Sequence, residues 1–324
     1  MGEDSRKTII MVTVFGFCGA FLMLSRLAMR KVRRQKFNLS DYLTMVALAC
    51  LASRTGFTTV VVLWGNNNLT DTYRAWNEFT ALEIHQREVG SKLTLVNRIN
   101  YNTYIWIQKA IVLLLYRRML DGLPQPHHIM NFYWGFLAST YIVVQSVTFV
   151  ECHPFYLYWQ VMPPPGKCPK ALVQLIVFVT LNIVTDILLI ILPMPWLIRM
   201  KASLKQRLSL VGLFSIGFLL IAVAIARLPI YGNGTSQVNR NTWGSIEEFA
   251  AAFVANVPTL FALRHRPATA DNTSFCNRRH SDMTELRKRA DEGIMVTHCI
   301  ELQRDTIKDS KDPEGFEVVC FEEV

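Results

Sequence analysis

The sequence predicts an all-α polytopic membrane protein: a seven-transmembrane helix bundle with its N-terminus outside and its C-terminus in the cytosol. Three observations lead there. Hydrophobic residues make up 51% of the 324 residues and charged residues only 18%, too apolar a balance for an ordinary globule or a disordered chain. Seven runs are long and apolar enough to cross a hydrocarbon core that needs about 20 residues per helix. Finally, the net charge of +9 is segregated, with +12 in residues 1–263 and −3 in residues 264–324. The basic excess lies between apolar runs, where membrane proteins place it, so no nucleic-acid partner is expected.

The first run, 8–28, is too long for a secretory leader; no small-residue cleavage site follows it and five basic residues come straight after. It is therefore read as a true span. The others are 40–64, 99–116, 130–150, 171–197, 208–230 and 244–263, of which the third and seventh carry several polar residues. Pro193 and Pro195 close the fifth, and Pro258 interrupts the seventh, where a freed carbonyl borders a cavity in many bundles. Loop 65–98 is long enough to hold a short amphipathic helix.

Orientation follows from the loop charges. Loops 29–39, 117–129 and 198–207 hold 11 Lys/Arg in 34 residues, whereas loops 65–98, 151–170 and 231–243 hold 7 in 67. The first set is expected in the cytosol. The glycosylation sequons at Asn68 and Asn233 fall in outside loops, while those at Asn38 and Asn272 fall inside, where no modification is expected. Cys152 and Cys168 share an outside loop, an oxidising setting in which they close a 17-residue loop or remain two thiols. Cys18 and Cys50 are read as packing residues of spans, and Cys276, Cys299 and Cys320 as reduced. Residues 1–265 form the membrane domain; 266–324, polar and mixed in charge, form a cytosolic and largely disordered tail.

Ionisable residues near a helix centre cost several kcal/mol unless paired or hydrated. Arg54, Lys109 and Asp186 lie near the middle of the second, third and fifth spans, with Asn182 one turn before Asp186 on the same face. Asp186 is placed to pair with either cation, leaving the other for water or ligand; the alternative is a buried ion pair that fixes helix order. A second group, Arg227, Glu247 and Glu248, lies nearer the outer surface with Trp243, Tyr156, Tyr158 and Trp159, as a pocket mouth or an interfacial belt. The seventh span has no lysine, which excludes a retinal Schiff base at the usual position. The third span ends Tyr116-Arg117-Arg118 rather than Asp-Arg-Tyr, and Asn256-Val257-Pro258 only faintly echoes the common receptor signature. No Walker loop, dinucleotide turn, metal-spaced Cys/His set or nucleophile elbow occurs, so neither a cofactor nor a metal is expected.

An ordered set of short strings is more specific. Leu181-Asn182-Ile183-Val184-Thr185-Asp186, running on to Leu192-Pro193, accompanies Lys109, Tyr116-Arg117-Arg118, Cys152-His153-Pro154, Trp159 and Cys168. Lys205, Gly212, Gly217, Arg227, Trp243 and Ile246-Glu247 follow in order. Together these resemble the fungal rhodopsin-domain integral membrane family over roughly residues 9–265. The resemblance implies no chromophore. By position it makes Asn182, Asp186 and Pro193 the fifth-span signature, Cys152 and Cys168 the extracellular cysteines, and Glu247 the seventh-span acid. The chain departs from the family at the end of the second span, Val62-Leu63-Trp64-Gly65-Asn66, and in having Arg54.

The function expected is receptor-like sensing without retinal, in the plasma membrane by way of the secretory pathway. A small hydrophobic ligand acts from outside and a cytosolic partner reads loops 29–39 and 198–207. The resemblance also implies a place in a fungal secondary-metabolite gene cluster. An intramembrane cyclase or hydrolase using Asp186 or Glu247, or a transport or accessory role, is the alternative, though no internal repeat suggests inverted transporter halves.

Overall fold

The computed structural model describes residues 3–69, 71–76, 78–120, 126–166, 168, 171–194, 237–265, 298–302 and 317–321. Residues 1–265 and 266–324 are separate units. In the first, regular structure among the described residues is helical: α1 (Glu3–Val32), α2 (Leu39–Trp64), α3 (Asp71–Trp76), α4 (Ala81–Leu120), α5 (Pro126–Val150), a 3₁₀ turn (Phe155–Tyr158), α6 (Leu172–Ile191) and α7 (Gln237–His265). The predicted run 208–230 and the candidates Arg227 and Asn233 lie outside the described residues. In the second unit, β1 (His298–Leu302) and β2 (Glu317–Phe321) pair antiparallel with Cys299 opposite Cys320, a pairing the tail's composition does not announce.

Among the described residues four helices, α1, α2, α5 and α6, are long and apolar enough to cross a membrane. The other two long helices, α4 with 40 residues and α7 with 29, carry more polar residues. Packing supplies the reason. Of the described helices α4 is central, lying against α2, α5, α6 and α7, while α7 also lies against α1. Their polar side chains point inward: Asn102, Gln108 and Asn256 are buried, as are Tyr104, Ile105 and Leu113. Large apolar side chains face outward instead, including Phe17 and Phe21 on α1, Phe132 and Ile142 on α5, and Ile176 on α6. An apolar exterior around a polar interior suits hydrocarbon and not water. Cys18, expected to pack, is likewise on the exposed side of α1.

Loop 65–98 holds more helix than its sequence suggests: α3 and the first turns of α4. The start of α4 is set by a reciprocal cap, in which Glu83 N donates to Thr80 Oγ1 (3.3 Å) and Thr80 N to Glu83 Oε2 (3.0 Å). These bonds from Thr80 hold the exposed Glu83 carboxyl below its ordinary value.

At that end of the bundle a cap covers the helices. Cys152 and Cys168 are joined, with Cα atoms 5.7 Å apart, and pack with Leu95 and Tyr158. Asn67 ties the two loops together: its N–H donates to Ser91 Oγ (2.9 Å) and its amide to the carbonyls of Tyr158 (2.9 Å) and Gln160 (3.2 Å). Arg74 donates to the carbonyls of Val161 and Asn67. Glu151 caps α6 from the end of α5, accepting from the N–H groups of Val173 (2.9 Å) and Gln174 (3.0 Å), since the residue preceding that helix, Ala171, has no side-chain acceptor.

The approach of α2 to α4 below this cap requires two glycines. Gly65 ends α2 at φ +79°, a conformation that a Cβ disfavours. Gly90 faces the Gly65 carbonyl so closely that any Cβ there collides with backbone, which no rotamer change relieves. Gly90→Ala is therefore expected to cost about 1–3 kcal/mol, read as a lower unfolding temperature of the purified protein in detergent. Gly56→Ala, where a Cβ meets nothing within 4 Å, is the control.

Candidate functional site

Helix periodicity assembles the site from four elements. On α6, Asn182, Thr185 and Asp186 share one face by their i, i+3, i+4 spacing. Opposite them, Lys109 of α4 donates to the Asn182 carbonyl (2.9 Å) and to Thr185 Oγ1 (2.8 Å), and forms an ion pair with Asp186. The ammonium thereby uses all three of its donors, the condition under which a buried lysine is tolerated. Lys109 is 6% exposed.

From Asn182 the network runs on to α7. Its amide donates to Glu247 Oε1 (2.8 Å), whose other oxygen accepts from the Tyr101 hydroxyl of α4. The ring of Tyr101 lies 4.7 Å beneath the Arg54 guanidinium of α2. Arg54 pairs with Glu248, and Tyr104 donates to the Glu248 carbonyl (3.1 Å). Arg54, Glu247 and Glu248 are all buried. A chain of charge-assisted contacts thus crosses the bundle from α2 through α4 and α7 to α6. Packing of Tyr101 and Trp106 on Phe178 encloses it.

Sequence spacing separates Glu247 and Glu248, as an outer mouth, from Arg54, Lys109, Asn182 and Asp186. The structure brings these six residues together. Because α7 starts at Gln237 and not at 244, Glu247 sits about 15 Å along the helix instead of at its end. Of the two partners open to Asp186, Lys109 is the one it takes, and Arg54 has Glu248. Tyr158 and Trp159, grouped by sequence with the acidic pair, belong to the disulfide cap. Sequence reasoning misses Tyr101, Tyr104 and Gln108, since aromatic and amide side chains on an apolar helix carry no distinguishing spacing.

Residues of α4, α6 and α7 line a cavity of about 50 Å³. Gln108, Lys109, Asn182, Asp186 and Glu247 form its polar wall, and Ile105, Leu189 and Val254 part of its apolar one. That space holds a few waters but is well below the roughly 300 Å³ of a typical ligand pocket.

A second buried cluster joins α1, α2 and α7. Arg26 of α1 donates to Asn256 Oδ1 of α7 (3.1 Å), bonds Ser40, and with Arg30 flanks Asp41 of α2 at 3.4 and 3.1 Å. Arg26 and Asp41 are 1% and 0% exposed. Both lie at the ends of predicted spans, where charge is ordinarily cheap, so the sequence holds no sign of their burial.

Among the described residues no group of three or more His, Cys, Asp or Glu is placed to hold a metal ion. The architecture and its polar interior define a polytopic helical membrane protein. Residues 25–266, about three quarters of the chain, match the family model of the fungal rhodopsin domain, and the chain belongs to that family. It is similar to a SAT4 family membrane protein of Emericella nidulans, 24% identical over 155 residues that cover 47% of this chain and 39% of the relative. It is also similar to the fugralins biosynthesis cluster protein 2 of Gibberella zeae, 23% identical over 142 residues, 40% of this chain and 35% of the relative. The matched stretches thus span well under half of these curated relatives. No solved structure matches the chain.

Proposed function

We propose that the protein is a seven-span, receptor-like sensor of a small hydrophobic metabolite, with its N-terminus outside, its tail in the cytosol and no retinal. It acts in the plasma membrane and within a fungal secondary-metabolite pathway; similarity to a biosynthesis cluster protein supports the pathway part of this reading. The observation that carries the reading is the small cavity walled by the Lys109–Asp186 pair. A metabolite enters only if α4, α6 and α7 separate, and the ligand then selects the open arrangement over the closed one. Loops 29–39 and 198–207 report the change to a cytosolic partner.

A second reading is favoured by one feature: Asp186 and Glu247 both reach the same cavity wall on either side of Asn182, an arrangement that an intramembrane acid catalyst also needs. Metabolite profiling of the source cells carrying Asp186→Asn, at matched expression, separates the two. Sensing predicts an unchanged profile or broad shifts without a single precursor. Accumulation of one discrete intermediate overturns sensing in favour of a catalytic or transport step. Topology is tested apart from this. A reporter fused after Val324 is expected in the cytosol, with glycan at Asn68 or Asn233 read as an endoglycosidase mobility shift; a C-terminal tag open to protease on intact cells contradicts it.

A further inference from the structure

At the end of the bundle opposite the disulfide, the turn between α1 and α2, part of the loop 29–39 that the sensing reading uses to report, has a mixed basic and apolar surface that a contact with a cytosolic partner does not account for. Lys31, Arg34 and Lys36 are exposed on it, and Arg117 and Arg118 are exposed at the end of α4. The two elements are in contact: with its amide oxygen turned toward them, Asn38 accepts from Arg30 Nη1 (2.7 Å) and Arg118 Nη2 (2.9 Å). The buried Arg26–Asp41–Arg30 cluster fixes the turn from beneath, and Asn38 N donates to Asp41 Oδ2 (2.9 Å).

Arg34 occupies a position that normally goes to glycine. Helix α1 ends with Gln35 N bonded to the Arg30 carbonyl (3.1 Å) and Arg34 N to the Lys31 carbonyl (3.0 Å), which places Arg34 at φ +51°. This is the reversal that terminates helices, and an arginine there is held in a left-handed conformation that glycine adopts without cost. Between the cations stand exposed apolar side chains: Val32, Phe37 and Leu39, with the Phe37 ring 6.5 Å from that of Tyr42. Cations interleaved with outward-facing apolar groups suit the boundary between headgroups and acyl chains, where a soluble anion offers nothing to the apolar half.

We infer that the α1–α2 turn and the end of α4 together bind the headgroup of an acidic phospholipid, one bearing a phosphomonoester, in the leaflet that this end borders. Phe37 and Leu39 lodge among the acyl chains, while Lys31, Arg34, Lys36 and the α4 arginines surround the phosphate. The inference rests on the bundle's spanning a bilayer and is independent of whether the cavity senses or catalyses.

The experiment uses full-length protein in detergent and native mass spectrometry. The probes are dioleoyl phosphatidic acid, phosphatidylinositol 4-phosphate and phosphatidylserine. Both phosphomonoester lipids are expected to bind more tightly than phosphatidylserine. The combined variant Lys31→Gln/Arg34→Gly/Lys36→Gln is expected to bind them about tenfold or more weakly. A control that removes two cations at the other end, Lys7→Gln/Lys92→Gln, should retain wild-type binding. Arg34→Gly alone is expected to raise the unfolding temperature while weakening lipid binding, opposite signs that a merely structural role does not produce. Equal binding by the triple variant and the control overturns the site, and equal binding of phosphatidylserine overturns the phosphomonoester preference. Complete displacement of lipid by soluble inositol 1,4-bisphosphate at equal concentration overturns the lipid surface in favour of a soluble anion.

Discussion

Asp186→Ala is expected to destabilise the protein by about 3–5 kcal/mol, because it leaves the Lys109 ammonium buried without its carboxylate. The hydrogen bonds from Lys109 to the Asn182 carbonyl and Thr185 remain, but neither acceptor carries a charge. Removing both charges is expected to be far milder. Lys109→Met/Asp186→Leu replaces a buried pair by apolar groups of similar reach, a change that in other proteins is neutral or stabilising. Chemical unfolding of the detergent-solubilised single and double variants measures both. The double variant also divides structure from signal: it should fold yet fail to give the ligand response expected of the wild type. A single variant as stable as wild type would remove the ion pair from any account of the bundle's interior.

Asp41→Ala is expected to cost a similar amount, about 3–5 kcal/mol, since it strands two guanidiniums. Arg26 and Arg30 are 1% and 4% exposed, so neither reaches solvent without local unfolding. Asn256 and Ser40 still accept from Arg26, but as neutral groups. Asp41→Asn should lie between, keeping the shape and losing the charge. The readout is again the unfolding transition, together with the fraction of expressed protein recovered as monodisperse material. Arg118→Gln, at an exposed position beside the same cluster, should leave stability within about 0.5 kcal/mol of wild type.

Much of the site is legible in the sequence. Arg54, Lys109, Asn182 and Asp186 stand out because charge inside an apolar run is costly and so is kept only where it is used or paired. Their partners do not stand out. Asp186 has two cations at similar depth, and choosing between them depends on how α4 and α6 are rotated about their axes, a quantity that depth along a span does not contain. Sequence spacing misplaces Glu247 and Glu248 because α7 begins earlier than its apolar stretch does, and helix ends are poorly marked where no cap residue signals them. The Arg26–Asp41 cluster is invisible for a related reason: residues at the end of a span look solvated until neighbouring helices are known to cover them.

Composition and patterning by themselves determined that the chain enters a membrane, picked out the four runs that the described helices α1, α2, α5 and α6 bear out, and marked Arg54, Lys109 and Asp186 as charges that are costly inside such runs. These are properties of single segments in a bilayer, where transfer energy depends on the residues of one helix. The resemblance to the fungal rhodopsin-domain family came instead from an ordered set of short strings, and the family model over residues 25–266 bears it out. Tertiary structure alone decided that α4 is the central helix among those described, that its polar face meets α6 and α7, and that Lys109 takes Asp186 while Arg54 takes Glu248. Pairing inside a bundle is set by helix rotation, tilt and close approach, as where Gly90 lets α4 lie against the end of α2. Those depend on many side chains at once, and no single segment encodes them.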